Sequence, residues 1–331
     1  MTTLVNSEAV TIESWLSETE ERSLAYDVLD GLTRPFKEIP AKHFYDTRGS
    51  ELFEQICDLP EYYPTRTETT ILQERAAEIV AATGAGELVE LGAGASVKAR
   101  ILLDAMEQAG TLSRYVPLDV SESCVRDAAE RLIRDYEGLR VHGVIGDFER
   151  HLPHVPAPEP GTPRLIGLLG GTIGNFPPGS RRRLLRNIGE LLGEEDRLLL
   201  GTDLVKDPNV IEAAYDDAQG ITAEFNRNVL HVINRELGAD FHPDWFEHVA
   251  FFDRRHEWLE MRLRAQRPCT VLIADVGLRV DFAAGEELRT EISAKFTQRR
   301  LQQDFAAAGL RLDGWFVDAD DRFALSLAAR A

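Results

Sequence analysis

The sequence predicts an α/β protein, a parallel doubly wound sheet interrupted by a second, smaller α+β domain. Three observations predict it. Short apolar runs alternate with helical periods from about residue 67 to residue 204. After about residue 205 the rhythm changes to period-two alternation, and from about Lys295 a helix and a closing hairpin resume the first pattern.

In chain order, TRTETTILQERAAEIVAATG reads as a helix, with Thr67 as its candidate cap and Gly84 as its end. ELVELGAGAS is a strand that breaks into glycines, and SVKARILLDAMEQAG returns to a helical period closed by Gly110. RYVPLDVS, LRVHGVIGDF, RLIGLLGG and DRLLLGTDLV read as further strands, with ESCVRDAAERLIRDYEG and SRRRLLRNIGELLG as helices. Parallel neighbours need such crossover helices, which is why the alternation implies a parallel sheet. Pro153, Pro156, Pro158, Pro160 and Pro163 mark an exposed spacer within it. The arginines Arg181 to Arg183 and Arg186 read as a solvated helix face. Further on, TAEFNRNVLHVINREL is helical, whereas HEWLEMRLRA and CTVLIADVGLRVDF alternate as antiparallel strands. FTQRRLQQDFAAAGL, LDGWFVD and RFALSLAAR then supply a helix and a hairpin. The expected domains are residues 65–204 plus 295–331 for the large sheet and residues 1–64 plus 205–294 for the second domain.

Composition narrows the function classes. A chain of 331 residues is long enough for two domains, and 44% apolar with 28% charged residues fits an ordinary packed protein. Asp and Glu number 56 against 37 Lys and Arg, giving a formal charge of −19, which opposes binding to a phosphate backbone. No apolar run reaches the roughly 20 residues needed to span a bilayer, and the first residues lack a basic n-region and an apolar h-region. A cytoplasmic protein with neither nucleic-acid nor membrane partners is expected. Cys57, Cys124 and Cys269 are isolated, so reduced, buried thiols are expected, with no metal site. Nothing demands an oligomer, so the expectation is a monomer.

In an open α/β sheet ligands bind at the carboxyl ends of the strands. Glu90-Leu91-Gly92-Ala93-Gly94 puts an acidic residue at a strand end and two glycines where a backbone must pass close to a ligand. Asp119 ends the next strand, where a carboxylate can accept from both hydroxyls of a ribose. Asp147 and Phe148 follow the third, offering an acceptor for an exocyclic amine and a ring to stack on adenine. A dinucleotide fingerprint would need a third glycine where Val97 stands, so a pyrophosphate is disfavoured. Tight-turn and helix-capping roles for Gly92, Gly94 and Asp119 are the bland alternative.

The pattern E-x-G-x-G, acidic strand end, Asp-Phe resembles the Rossmann-like class I S-adenosylmethionine-dependent methyltransferases, whose cosubstrate has no phosphate to cradle. More specific are FYDTRGSELFEQICDLPEYYPTRTE, GGTIGNF, LLLGTDLVKD, AYDDAQGITAEFNRNVL and TEISAKF. Together these resemble the L-histidine Nα-methyltransferases that begin ergothioneine biosynthesis, from about Leu29 to Arg330. The resemblance implies a methyltransferase core with an inserted substrate-binding domain. It also implies three successive methyl transfers to the α-amine of L-histidine, giving hercynine.

The resemblance assigns residues as well. Lys98 would reach the methionyl carboxylate. Asn175 would bind the amino and carboxylate end of the substrate, although GNFPP by itself reads first as an Asx turn. Tyr45, Tyr62 and Tyr215 would line the same pocket with Gly170 of the GGTIGNF loop, and Phe53 would supply an apolar wall. Tyr62 and Tyr215 carry over best, because LPEYYPTRTE and AYDDAQG match on both flanks. Relatives often carry Ser where Gly171 stands. At the imidazole end, period two places Glu291 and Ser293 on one face of an extended TEIS, a carboxylate for one ring nitrogen and a hydroxyl for the other. Met261, which by spacing is a strand-core residue, would pack against the ring. Related enzymes methylate tryptophan-like amines, so another aromatic amino acid is the alternative substrate. A cofactor-binding regulator without turnover would predict a damaged glycine turn or Asn175, and both are intact.

Overall fold

The computed structural model describes residues 2–6, 9–16, 22–94 and 96–331. The chain divides into two compact units. One comprises Met1–Ser17, Thr67–Leu204 and Phe296–Ala331, and the other Glu18–Arg66 and Val205–Lys295.

The first unit is built on a nine-stranded sheet. Its parallel strands lie in the order Val10–Ser14, Arg140–Ile145, Arg114–Asp119, Glu87–Leu91, Arg164–Leu168 and Arg197–Asp203. Phe323–Arg330 and Leu310–Val317 close one side as the expected antiparallel hairpin. Every residue of Glu87–Leu91 and Arg164–Leu168 is buried, as expected of strands covered on both faces. From the central strand Glu87–Leu91 the chain winds outward to Arg140, then crosses back to Arg164. That reversal opens a crevice at the carboxyl end of Glu87–Leu91, which is where the glycine turn lies.

Three expectations change. The first residues were assigned to the second domain, yet Thr2–Asn6 and Val10–Ser14 extend the large sheet, Val10–Ser14 pairing in parallel with Arg140–Ile145. The cause is local: Val10 and Ile12 alternate inward, Ile12 being 2% exposed, and the strand satisfies an otherwise open sheet edge. The helix expected from Thr67 runs Tyr63–Thr83, because Pro64 is tolerated in a first turn whose N–H groups need no helical partner. Finally, Arg181 is not on the solvated face. It is 1% exposed, donates from Nε to Asp304 at 2.9 Å and lies 4.9 Å from the Phe296 ring centroid, whereas Arg182, Arg183 and Arg186 are exposed. A single residue step, about 100° around the helix, separates Arg181 from Arg182, and composition alone cannot.

The second unit holds a four-stranded sheet in the order Lys37–Glu38, Glu287–Ala294, Trp258–Ala265 and Phe246–Asp253. A two-stranded hairpin of Cys269–Ile273 and Leu278–Phe282 stands beside it in sequence. Helix Ile221–Leu237 begins where the Asp217 carboxylate accepts from the N–H groups of Ile221 and Thr222, at 3.0 and 2.7 Å. Its Phe225, Val229 and Ile233 join Phe44, Leu259, Leu263 and Leu288 in one apolar core. The three cysteines are in no disulfide among the described residues and are half-buried rather than enclosed. Among the described residues no helix is long and apolar enough to cross a membrane, and no group of three metal-ligating side chains comes together.

Removing one partner of a buried ion pair strands the other. Arg181→Ala is therefore expected to cost about 3 to 5 kcal/mol in urea unfolding, against less than about 0.5 kcal/mol for Arg182→Ala. Equal, small losses from both would show that the pair does not hold this helix.

Candidate active site

At the first unit's crevice, strand Glu87–Leu91 runs into Gly92 and Gly94, at φ of 74° and 49°, conformations that L side chains rarely adopt. A Cβ on Gly92 would stand 3.6 Å from the Phe148 ring, so the turn is closed on one side by an aromatic face. Gly94 N–H donates to Asp119 Oδ2 at 2.8 Å and Ser121 N–H to Oδ1 at 2.9 Å. The carboxylate is thus fixed at its strand end with lone pairs to spare for a diol. Asp147 caps the one-turn helix Phe148–His151 through Glu149 N–H at 2.8 Å. Phe148 sits edge-on to Phe176 with centroids 6.2 Å apart. Beneath the turn, Ser96 is buried at a positive φ of 55°, its hydroxyl 2.8 Å from that of Tyr115, which donates to Glu90. Burial raises the Glu90 carboxyl to about 8, against the opposing pull of Tyr115 and Lys98.

A carboxylate that the sequence did not flag organises the next two groups. Glu68 is completely buried; both its oxygens accept from Gly170 N–H, at 2.8 and 2.9 Å, and it pairs with Lys98. Lys98 keeps further N–H donors and remains partly exposed. Gly170 and Gly171 have φ of 80° and 69°, so a serine in place of Gly171 would be strained in this backbone. Asn175 ends the 3₁₀ turn Thr172–Asn175, and its amide has no hydrogen-bond partner among the described residues. The Asx turn read from GNFPP cannot form, because its donor would be the N–H of residue 177 and Pro177 has none.

The second unit gathers an aromatic and polar cluster. Tyr62 and Tyr215 are buried, with ring centroids 6.1 Å apart and nearly perpendicular. Half-buried Phe53 meets Tyr62 edge-on at 6.1 Å and Tyr45 at 5.6 Å, and Tyr45 itself is 44% exposed. Strand Glu287–Ala294 pairs with Trp258–Ala265 so that Glu291 stands opposite Met261, which is 1% exposed. Ser293 Oγ lies 2.9 Å from Tyr215 Oη, and both hydroxyls accept from Lys295 Nζ, at 2.9 and 3.1 Å. Burial raises the Glu291 carboxyl to about 7, while the charge of Lys295 draws it down. Behind the cluster, His248 donates from Nε2 to the Tyr215 carbonyl at 2.8 Å and accepts at Nδ1 from Asn226 at 2.8 Å. Burial lowers its pKa, consistent with a neutral ring of fixed tautomer. Asn226 also accepts from Thr290, next to Glu291, at 2.6 Å.

A model of histidine-specific, S-adenosylmethionine-dependent methyltransferases matches residues 24–330. The chain belongs to this family. Histidine N-alpha-methyltransferase of Mycolicibacterium smegmatis is 50% identical over 317 residues, covering 95% of this chain and 97% of that one. Its counterpart in Mycobacterium tuberculosis is 49% identical, covering 93% and 95%. Ergothioneine biosynthesis protein 1 of Neurospora crassa is 35% identical over 214 residues, 63% of this chain and 24% of that one.

The protein is accordingly an S-adenosylmethionine-dependent methyltransferase of the Rossmann-like class I fold, and the first unit's residues fit that cosubstrate. The turn at Gly92 and Gly94 has no third glycine to cradle a pyrophosphate, Asp119 is anchored to face a diol, and Phe148 offers a ring. The sequence-derived set falls into two clusters, each brought together within its own unit. Glu90, Gly92, Gly94, Lys98, Asp119, Asp147, Phe148, Gly170 and Asn175 lie in the first; Tyr45, Phe53, Tyr62, Tyr215, Met261, Glu291 and Ser293 lie in the second. Sequence reasoning missed Glu68, Lys295 and His248. Lys295 stood in the quoted TEISAKF, at period two from Ser293, and that spacing was a usable signal.

A carboxyl held at about 7 in the folded protein, against 4.5 when exposed, binds its proton more tightly in the native state. It therefore costs stability as pH rises from about 4.5 through 7, and costs nothing below. Relative to wild type, Glu291→Gln is expected to stabilise the ligand-free protein by about 1 to 3 kcal/mol at about pH 8 and by little at about pH 5, measured by denaturant unfolding. A gain independent of pH would mean that the carboxylate is not desolvated.

Proposed function

We propose that this protein transfers three methyl groups in succession from S-adenosylmethionine to the α-amine of L-histidine, giving hercynine, the first step of ergothioneine biosynthesis. The observation that carries the reading is the pair Glu291 and Ser293 two residues apart on strand Glu287–Ala294, with Glu291 opposite buried Met261 and Ser293 itself buried. A carboxylate and a hydroxyl at that spacing suit the two nitrogens of an imidazole. The names of the two mycobacterial relatives and of the fungal one support the acceptor and the pathway.

The roles follow from the chemistry available to each group. Asp119 takes the ribose hydroxyls, Asp147 and Phe148 the adenine, Lys98 the methionyl carboxylate, and Gly92 and Gly94 allow the close approach, with Glu90 beneath them. Asn175 and Gly170, whose backbone is fixed by Glu68, take the amino and carboxylate end of histidine. Tyr45, Phe53, Tyr62 and Tyr215 supply the second unit's aromatic wall for the substrate. The cosubstrate supplies a methyl group on a sulfonium, displaced in line by a neutral amine while the electrons of the C–S bond stay on sulfur. Such a displacement needs position and desolvation more than acid or base help, and no strong general base stands among these residues. The first two transfers each leave an ammonium that must lose a proton, and the third leaves a quaternary nitrogen that cannot react again.

Tryptophan is the alternative acceptor, and the polarity at Glu291 and Ser293 counts against it. An indole would leave one of the two unpaired at roughly 1 to 3 kcal/mol. The deciding experiment is mass spectrometry of the protein with S-adenosylmethionine and each of histidine, tryptophan and tyrosine. A product three methyl groups heavier than histidine is expected, with the others unchanged; transfer to another acceptor alone would discard the ring assignment. By calorimetry, Glu291→Ala is expected to weaken histidine binding at least about tenfold and S-adenosylhomocysteine binding less than about twofold, with Asp119→Ala doing the reverse. Equal effects on both ligands from either variant would refute that residue's role.

A further inference from the structure

Lys295 is completely enclosed, two residues beyond Ser293 on the same face, and the reading above gives it no task. Burying an ammonium is costly unless its donors are used. Here Nζ donates to Ser293 Oγ at 2.9 Å and to Tyr215 Oη at 3.1 Å, and it lies 4.7 Å from the Tyr215 ring centroid. The two hydroxyls are themselves 2.9 Å apart.

These contacts restrict where hydrogens can be. An ammonium only donates, so both hydroxyl oxygens accept from it. Only one hydrogen fits between the hydroxyls. A phenol is the stronger acid and the weaker acceptor of the two, and the adjacent cation sharpens that difference, so Tyr215 gives its hydrogen to Ser293. Ser293 Oγ then accepts twice, both lone pairs are occupied, and its own hydrogen is left to point at a ligand. Without Lys295 the serine could rotate and serve as donor or acceptor equally well.

We propose that Lys295 is a positioning residue that fixes Ser293 as an obligate hydrogen-bond donor. Resting on the histidine reading, the inference makes the ring end a two-letter code. Ser293 gives O–H to a ring nitrogen that carries no proton, and Glu291 takes N–H from the other. The acceptor class recognised is a neutral 1,3-diazole in one tautomer. A ring with N–H alone, such as pyrrole or indole, satisfies Glu291 and leaves Ser293 facing C–H. An imidazolium turns a second N–H against the serine hydrogen.

The test uses histidine and the two pyrrolylalanines in which one or the other ring nitrogen is replaced by C–H. Dissociation constants and kcat/KM are measured for wild type, Lys295→Met, Tyr215→Phe and Ser293→Ala. S-adenosylhomocysteine affinity serves as the control for folding. Wild type is expected to prefer histidine over the better pyrrole by about 30-fold, the worth of one unpaired buried group. In Lys295→Met the preference is expected to fall to about threefold, with cosubstrate affinity unchanged, as the freed serine turns its lone pair or its hydrogen to suit either ring. Tyr215→Phe, which keeps the ring packing and reopens one lone pair of Ser293, is expected to fall between them. A Lys295→Met enzyme that loses affinity for all three ligands alike but keeps the wild-type preference would overturn the proposal and leave Lys295 a packing residue. If Lys295→Met does not fold, an unchanged preference in Tyr215→Phe overturns it. If Ser293→Ala keeps the full preference, the ring is not read by this pair at all, and the histidine assignment falls independently of Lys295.

Discussion

One enclosed carboxylate ties four elements of the methyltransferase core together. Glu68, on helix Tyr63–Thr83, receives Gly170 N–H on both oxygens and pairs with Lys98 at the start of helix Val97–Ala109. It also dictates the residue beside it. A Cβ on Gly201 of strand Arg197–Asp203 would fall 2.0 Å from Glu68 Oε1, so the strand must carry glycine there. Removing the carboxylate would leave a buried lysine stem and a buried N–H without partners, while removing Gly201 would push the carboxylate out. The lysine proposed for the cosubstrate carboxylate and the loop proposed for the substrate amine therefore share one anchor. A change at Glu68 would disturb both.

The second unit solves the same problem with neutral groups arranged around one ammonium. His248 in one tautomer holds the Tyr215 carbonyl, Asn226 holds His248 and Thr290, and Lys295 holds the Tyr215 and Ser293 hydroxyls. Every donor in the chain but the Ser293 hydroxyl has an acceptor, and these bonds orient the hydroxyls. A buried network matched at all but one donor permits few arrangements. That combination suits a site whose task is placement rather than proton transfer.

The parts legible in the sequence were those written as a period or as a backbone requirement. Strands and helices of the sheet were readable because apolar spacing reports burial directly. Gly92, Gly94 and Asp119 were readable because a turn at a strand end restricts residue choice. Glu291 and Ser293 fell on one face by period two. What stayed hidden was the partner of a charge. Glu68 and Lys295 look like any charged residue until the fold shows them enclosed, and Arg181 was indistinguishable from Arg182 until Asp304 arrived from 123 residues away. The sheet strand Val10–Ser14 is not legible for a related reason, since nothing in five residues says which sheet they will extend. The family motifs supplied Tyr62, Tyr215 and Asn175, which spacing alone left equivocal.

In the role proposed for it, Glu291 would discriminate through its desolvation beyond what a hydrogen bond alone could give. With its carboxyl at about 7, the ligand-free site near neutrality is divided between a proton-bearing acid and a carboxylate. A ring that offers N–H favours the ionised form and recovers part of the burial cost, whereas a ring without one meets either a neutral acid or an unpaired charge. Discrimination thus has two contributions, one from the bond made and one from the charge left alone, and the second is the larger in an apolar setting. Met261, opposite the carboxylate in the strand register, contributes an apolar side chain to that setting. On this argument the apolar neighbour and the acid act as one unit. Replacing methionine by a polar residue would relax selectivity even with Glu291 in place, because water could then solvate the carboxylate when no N–H is offered.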